Sequence, residues 1–195
     1  MAPFPSDLAA LVFEIVVIIW VGSEIVGGGI IPRLRRRGTR IKRRDRGTCF
    51  AIIGGVWLSV FIALFFGGMD LARLPGWVTW VGFALMLIGI FIRQWAIAVL
   101  GSYFSPAVGT QAGQKVVKTG PYRLVRHPAY TGALLIMVGV GLALQSWGAV
   151  LVILVIFGLT FGYRMRTEEK VLVNELGEEY VQYMKTTKRI IPYIL

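Results

Sequence analysis

Apolar residues run along this chain in long, nearly unbroken stretches, without the alternation of strands or the three-to-four spacing of soluble amphipathic helices. The first extends from Leu8 to Ile31 and is interrupted only by Glu14 and Glu24 among charged residues. It is too long for a signal peptide and no basic region precedes it, so we expect a retained helix. A second run covers Cys49 to Gly68. After a short turn with Asp70, Arg73 and the breaker Pro75-Gly76, a third covers Trp77 to about Leu100. Ala129 to Tyr163 is too long for one crossing, and Gln145-Ser146-Trp147-Gly148 is the natural fold point. A helix needs roughly 20 apolar residues to cross a hydrocarbon core of about 30 Å. The pattern therefore predicts an all-α integral membrane bundle of five transmembrane helices, at about 8–31, 49–68, 77–100, 129–145 and 147–163. We expect residues 1–195 to form a single membrane domain.

The polar segments between the runs set an orientation. Pro32 to Thr48 holds Arg33, Arg35, Arg36, Arg37, Arg40, Lys42, Arg43, Arg44 and Arg46 against one acid, Asp45. That loop, the stretch 101–130 and the tail from Arg164 carry nine, four and six Lys+Arg, against Arg73 alone on the opposite side. Positive loops stay in the cytoplasm, which predicts N-terminus out and C-terminus cytoplasmic, in the cell membrane. Trp77, Trp80 and Trp147 then fall at the outer boundary, where an interfacial aromatic belt belongs. Arg93 lies near the cytoplasmic end of the third span, where its side chain can snorkel.

Composition sharpens this picture. Hydrophobic residues make up 56% of the chain and charged ones only 16%, with a mean hydropathy of +0.69, which leaves no room for a separate soluble domain. The net charge of +11 is what topology and anionic lipid produce, so nucleic acid is not an expected partner. The single cysteine, Cys49, excludes an internal disulfide framework and a cysteine-based metal cluster. Gly132, Gly139 and Gly141 on the fourth span, and Gly158 and Gly162 on the fifth, suit close helix packing. Glu14 and Glu24 are costly at membrane depth. They can be neutral and hydrogen-bonded within the bundle, and Glu24 can lie near the interface.

The richest polar cluster sits at the predicted cytoplasmic edge, in two segments. One runs from Gln114 through Lys115, Val116, Val117, Gly120-Pro121-Tyr122 and His127-Pro128 to Tyr130. The other runs from Arg164 through Glu168-Glu169 to Leu176-Gly177-Glu178-Glu179-Tyr180 and Tyr183. Pro128 suits the first turn of a helix, because its fixed φ is helical and its missing N–H would be unpaired there. His127 is then at or beside the N-cap, next to a positive helix end that attracts a carboxylate or phosphate. Arg164 and Glu168 stand at i and i+4. They can form an ion pair at a helix end, or Arg164 can grip a carboxylate while Glu168 accepts hydrogen bonds from a ribose or an amine. A hairpin of the fourth and fifth spans brings the two segments together, an arrangement suited to a polar cofactor beside a lipidic substrate.

The residues Gly120-Pro121-Tyr122, His127-Pro128, Tyr130 and Gly132, followed by Arg164, Glu168-Glu169 and then Leu176-Gly177-Glu178-Glu179-Tyr180 with Tyr183, resemble the isoprenylcysteine carboxyl methyltransferase family. The likeness covers Gly101 to Pro192 and is nearest to the short five-span prokaryotic members; integral-membrane phospholipid N-methyltransferases share part of it. It implies methyl transfer from S-adenosylmethionine to the α-carboxylate of a C-terminal S-prenylcysteine, on a prenylated protein or a small prenyl thioether, with S-adenosylhomocysteine as product. Carried over by position, Gln114, Lys115, Val116 and Val117 line the cofactor. Tyr122, His127, Pro128, Ala129 and Tyr130 form the rest of its pocket, and Glu168 closes it. Arg164 takes the substrate carboxylate and is the catalytic assignment. The family's glutamine upstream has no clear counterpart, since Gln111 needs a gap. No metal is implied, and we expect a monomer among membrane lipid.

Such a reaction needs few residues. The carboxylate is already ionised at neutral pH, so positioning and desolvation suffice and His127 need not act as a base. A phospholipid or other small-lipid methyltransferase with an amine acceptor is the alternative within enzymes, and Arg164 beside an amine disfavours it. A small transporter or scaffold is the non-enzymatic alternative.

Overall fold

The computed structural model describes residues 4–35, 42–45, 47–67, 73–111 and 113–192. The first helix is continuous from Asp7 to Arg35, in three parts: α1 (Asp7–Ser23), a π-helical stretch Glu24–Ile30 and α2 (Ile31–Arg35). Ser6 caps its start, accepting a hydrogen bond from the Ala9 N–H at 3.2 Å, as short hydroxyl side chains do at helix N-termini. The helix outlasts its expected end because Pro32 does not break it: the widened turns before it already depart from the ordinary ladder. Arg33 and Arg35, expected in a loop, are therefore helical. Arg36, Arg37, Arg40 and Arg46 of the basic run lie outside the described residues.

Then follow α3 (Gly47–Gly67), α4 (Val78–Leu100), α5 (Pro128–Ala143), α6 (Trp147–Leu176) and the short α7 (Glu178–Thr186). The segments Asp7–Arg35, Val78–Tyr103 and Trp147–Leu176 are long and apolar enough to cross a membrane, and with the shorter apolar helices they make this a multi-pass membrane protein. The 16 residues of α5 rise only about 24 Å. That helix is the best buried of the bundle, with Ile136, Met137 and Val140 in the main core. One feature departs from an all-helical chain: β1 (Lys42–Asp45) pairs antiparallel with β2 (Val108–Thr110), which ties the basic segment to the region after α4.

Glycine decides how α4 meets α5. A Cβ added at Gly82 would lie 2.6 Å from the Gly139 carbonyl oxygen, and one at Gly89 would lie 2.6 Å from that of Gly132. Two glycines seven residues apart on each helix thus put backbone against backbone. Gly132, Gly139 and Gly141 are close-packing residues as expected, whereas Gly158 and Gly162 have nothing within 4 Å of an added Cβ. At the opposite rim from His127, Gln145 adopts a positive φ of 56° and closes the α5–α6 turn at the expected place. It accepts a hydrogen bond from Arg73 Nε at 3.0 Å and donates to Thr79 Oγ1 at 2.9 Å. Trp77, Trp80 and Trp147 are exposed near this turn.

The two intramembrane questions separate. Glu14 is exposed on the outer side of α1. Glu24 forms a two-point ion pair with Arg93: Nε donates to Oε1, and Nη2 to Oε2 at 2.8 Å. Arg93 thus does not snorkel but points into the bundle, where its Nη1 also donates to the Ala129 carbonyl at 3.0 Å. A paired carboxylate in a planar fork is the cheapest way to keep both charges out of water.

Candidate active site

The sequence around His127 folds as its prolines dictate. Gly120–Arg123 is a 3₁₀ turn entered through Gly120, whose φ of +57° suits glycine. His127 is the N-cap of α5 with φ −123° and ψ 57°, and Pro128 opens the helix. The His127 side chain does not cap. Its ring stacks on that of Tyr130, with centroids 5.4 Å apart and planes at 12°, and its Nε2 lies 3.3 Å from Glu169 Oε1. The N–H groups of Arg126 and His127 donate to the carbonyls of Lys188 and Arg189, at 2.7 and 2.9 Å. These two donors lie just before the helix, while the first-turn N–H groups of Tyr130 and Thr131 turn to the His127 carbonyl, at 2.9 and 3.1 Å.

Helix α6 runs on past its apolar part to Gly177, whose φ of +61° ends it. That extension keeps Arg164, Glu168 and Glu169 on one rigid helix above the start of α5. Arg164 is 4% exposed. Its Nε donates to the Tyr130 hydroxyl at 2.9 Å, its Nη1 to Thr48 Oγ1 at 3.0 Å, and its Nη2 to the Pro106 carbonyl. The Tyr130 hydroxyl in turn donates to Glu168 Oε2 at 2.6 Å. Where a direct Arg164–Glu168 ion pair was one of two expectations, the phenol stands between cation and carboxylate. The reason is reach: Tyr130, one turn into α5, projects into the space that the i, i+4 pair spans on α6.

Glu169, one residue on, turns the other way. It is buried and gathers three nitrogen partners: Arg126 Nε at 3.1 Å, Arg189 Nη2 at 2.9 Å and the imidazole Nε2 of His127 at 3.3 Å. Arg126 also binds the carbonyls of Met184 and Thr187, so this cluster fastens α5, α6 and the tail to one another. The hydrogen bond to Glu169 raises the pKa of Arg189. Behind the cluster the Tyr183 hydroxyl donates to the Tyr122 carbonyl at 2.7 Å, and burial pushes its phenol up to about 12 against the opposing pull of Arg126.

The remaining expected residues divide. Tyr122 and Ala129 are buried with Ala96, and Val117 packs on that cluster. Burial and the charge of Glu168 hold the Tyr122 phenol neutral well above its ordinary range. Pro128 is fully buried. Gln114 exchanges hydrogen bonds with Gln111, its N–H donating to the Gln111 carbonyl and its Oε1 accepting from the Gln111 N–H, each at 3.1 Å. Gln111 itself reaches the Ser102 carbonyl. Val116 is half-buried and Lys115 exposed, in a stretch outside any helix or strand. Arg164, Tyr130, Glu168 and His127 are thus brought into one group, with Tyr122, Ala129 and Val117 beside it.

Sequence reasoning did not single out Thr48, Pro106 or Glu169. Thr48 and Pro106 carry no local signal, since their role depends on α3 and the loop after α4 reaching α6. Glu169 differed from Glu168 only by one position, about 100° around a helix.

Fold and polar corner describe a helical membrane protein with a dense polar cluster at one rim of the bundle. The model of the isoprenylcysteine carboxyl methyltransferase family matches residues 80–174, a little under half of the chain. It is 31% identical over 118 residues to the protein-S-isoprenylcysteine O-methyltransferase of Saccharomyces cerevisiae, a match covering 60% of this chain and 49% of that one. It is 28% identical over 94 residues to the uncharacterized protein YpbQ of Bacillus subtilis, covering 48% of this chain and 56% of that one. Among solved structures it is similar to the eukaryotic intramembrane Ras methyltransferase, isoprenylcysteine carboxyl methyltransferase, without a monobody. There the TM-score is 0.58 and the identity 25%, over 74% of this chain and 52% of that one. The chain spans about half the length of the curated relatives it matches.

Proposed function

We propose that this protein transfers a methyl group from S-adenosylmethionine to the α-carboxylate of an S-prenylcysteine, forming a methyl ester. The observation that carries the reading is the chain Arg164–Tyr130–Glu168, which joins a buried cation for the substrate acid to a carboxylate for the cofactor through a single phenol. The residues suit the cofactor: Glu168 is half-buried with a second oxygen able to accept from a ribose hydroxyl, and Val116 and Val117 keep backbone groups outside any helical or strand ladder. When bound, S-adenosylmethionine supplies a methyl group on a sulfonium.

Every other step belongs to the chain. Arg164 draws the carboxylate out of water and orients it, in competition with the Pro106 carbonyl and Thr48 hydroxyl that its fork now binds, and leaves one oxygen lone pair directed at the methyl carbon. Tyr130 fixes the guanidinium plane from Nε. His127, turned toward Glu169 and stacked on Tyr130, steadies the aromatic wall and removes no proton. A buried arginine at the acceptor position disfavours an amine acceptor, which would share its charge on protonation.

The prenyl chain remains in the membrane. The apolar seam of α3 and α6, lined by Val56, Ile156, Phe157 and Phe161, with Phe161 edge-on to Tyr130, is its route. We further infer five spans with the C-terminus and the site cytoplasmic, in one membrane domain, as the basic segments require. Titration calorimetry of the purified protein with S-adenosylhomocysteine tests the reading. Saturable binding, weakened by Glu168→Ala, supports it; no heat up to millimolar ligand ends it.

A further inference from the structure

The cations around the tail outnumber what the site needs. A cavity of about 310 Å³ is lined by Arg126, Lys185, Lys188 and Arg189, together with Met184 and the turn Thr186-Thr187. Four formal positive charges thus line it, and the carboxylate of Glu169 is shared by Arg126 and Arg189 with His127. The nearby acids of α7 are used elsewhere: Glu179 pairs with Lys118 at 3.2 Å, and Glu178 accepts from Gln182 at 2.6 Å. Lys185 and Lys188 are exposed at the mouth.

The height of this cavity follows from the chain that forms it. The Lys188 and Arg189 carbonyls hold the N–H groups just before α5, and the Ile190 carbonyl accepts from Thr131 Oγ1 at 2.7 Å, within the first turn. Ile190 is then buried against Ala133, Phe157, Phe161 and Met165, while Ile191 is partly exposed beyond it. A row of cations that passes directly into an apolar anchor, level with the start of a membrane helix, lies where lipid headgroups lie. Phosphate is the anion at that depth, and lysines and arginines around a concave surface are its natural ligands.

We propose that this cavity binds the phosphate of an anionic phospholipid headgroup. The site is separate from the methyl-transfer site and does not depend on that activity. Native mass spectrometry of the full-length protein, released from detergent containing equal phosphatidylglycerol and phosphatidylcholine, tests it. Wild type retains phosphatidylglycerol selectively. Lys185→Ala with Lys188→Ala lowers that retention about thirtyfold, and Lys185→Arg with Lys188→Arg keeps it. Lys118→Ala with Arg123→Ala, an equal charge change elsewhere on the same rim, leaves it unchanged. Equal losses in both alanine pairs, or no loss in the first, overturn the site. Millimolar inorganic phosphate leaves the bound phosphatidylglycerol in place; complete displacement would make soluble phosphate the occupant and overturn the lipid assignment.

Discussion

The Nε–H of Arg164 points at the hydroxyl oxygen of Tyr130 from 2.9 Å, and that hydroxyl spends its own proton on Glu168. The phenol accepts from a cation and donates to an anion, so each bond polarises the other. Tyr130→Phe removes both bonds yet keeps the stacking on His127 and the edge contact with Phe161. Hydrogen bonds to charged groups are worth about 1.5–3 kcal/mol, so we expect turnover of a prenylcysteine analogue to fall by about ten- to a hundredfold. The same lost bonds to charged groups should also lower the unfolding midpoint by several degrees. A variant with wild-type turnover would remove Tyr130 from the account.

Arg164 and Glu168 should separate by function. Arg164→Ala abolishes most turnover, by about a hundred- to a thousandfold, while binding of S-adenosylhomocysteine stays near wild type. Arg164→Lys does not restore it, because an ammonium cannot reproduce a fork that reaches Tyr130, Thr48 and Pro106 at once. Glu168→Ala weakens cofactor binding first. Collapse of cofactor binding in Arg164→Ala would contradict this division of roles.

Glu169 should behave as a fastener. Glu169→Gln leaves Arg126, Arg189 and His127 around a neutral amide, and removing one partner of a buried ionic cluster costs about 3–5 kcal/mol. Thermal unfolding in detergent should register this as a clear drop in midpoint, larger than that of Glu168→Gln. Equal effects would mean that the two neighbours are not divided between site and scaffold.

Glu24 and Arg93 test the ion pair within the bundle. Glu24→Met strands the Arg93 guanidinium and should destabilise by about 3–5 kcal/mol, whereas Glu24→Met with Arg93→Met should recover part of that loss. The unfolding midpoints of the two variants decide it. A double variant less stable than the single would show that Arg93 is held chiefly by its bond to the Ala129 carbonyl.

Hydropathy made the helices legible because bilayer thickness dictates run length, and α4 keeps nearly its expected bounds. Pro128 marked the start of α5 through its fixed φ, and Gln145 falls at the predicted fold point. What stayed hidden depends on partners distant in the chain. The Lys42–Asp45 strand has no apolar alternation and exists because Val108–Thr110 lies beside it. Glu24 finds its partner 69 residues away, and Arg164 reaches Thr48 across 116. The extension of α6 was partly readable, since Gly177 is the first glycine after Gly162 and could have marked the helix end. The choice between Glu168 and Glu169 was not, because both fit a helix and only the packed register of α5 on α6 tells them apart.

Transfer of label from methyl-labelled S-adenosylmethionine to an S-prenylcysteine analogue by the purified protein tests the central proposal most directly. We expect a base-labile methyl ester that is lost with Arg164→Ala and is not formed on the same analogue with its carboxylate amidated. Label that is base-stable, that enters an amine-bearing lipid instead, or that fails to transfer at saturating cofactor and acceptor would contradict it.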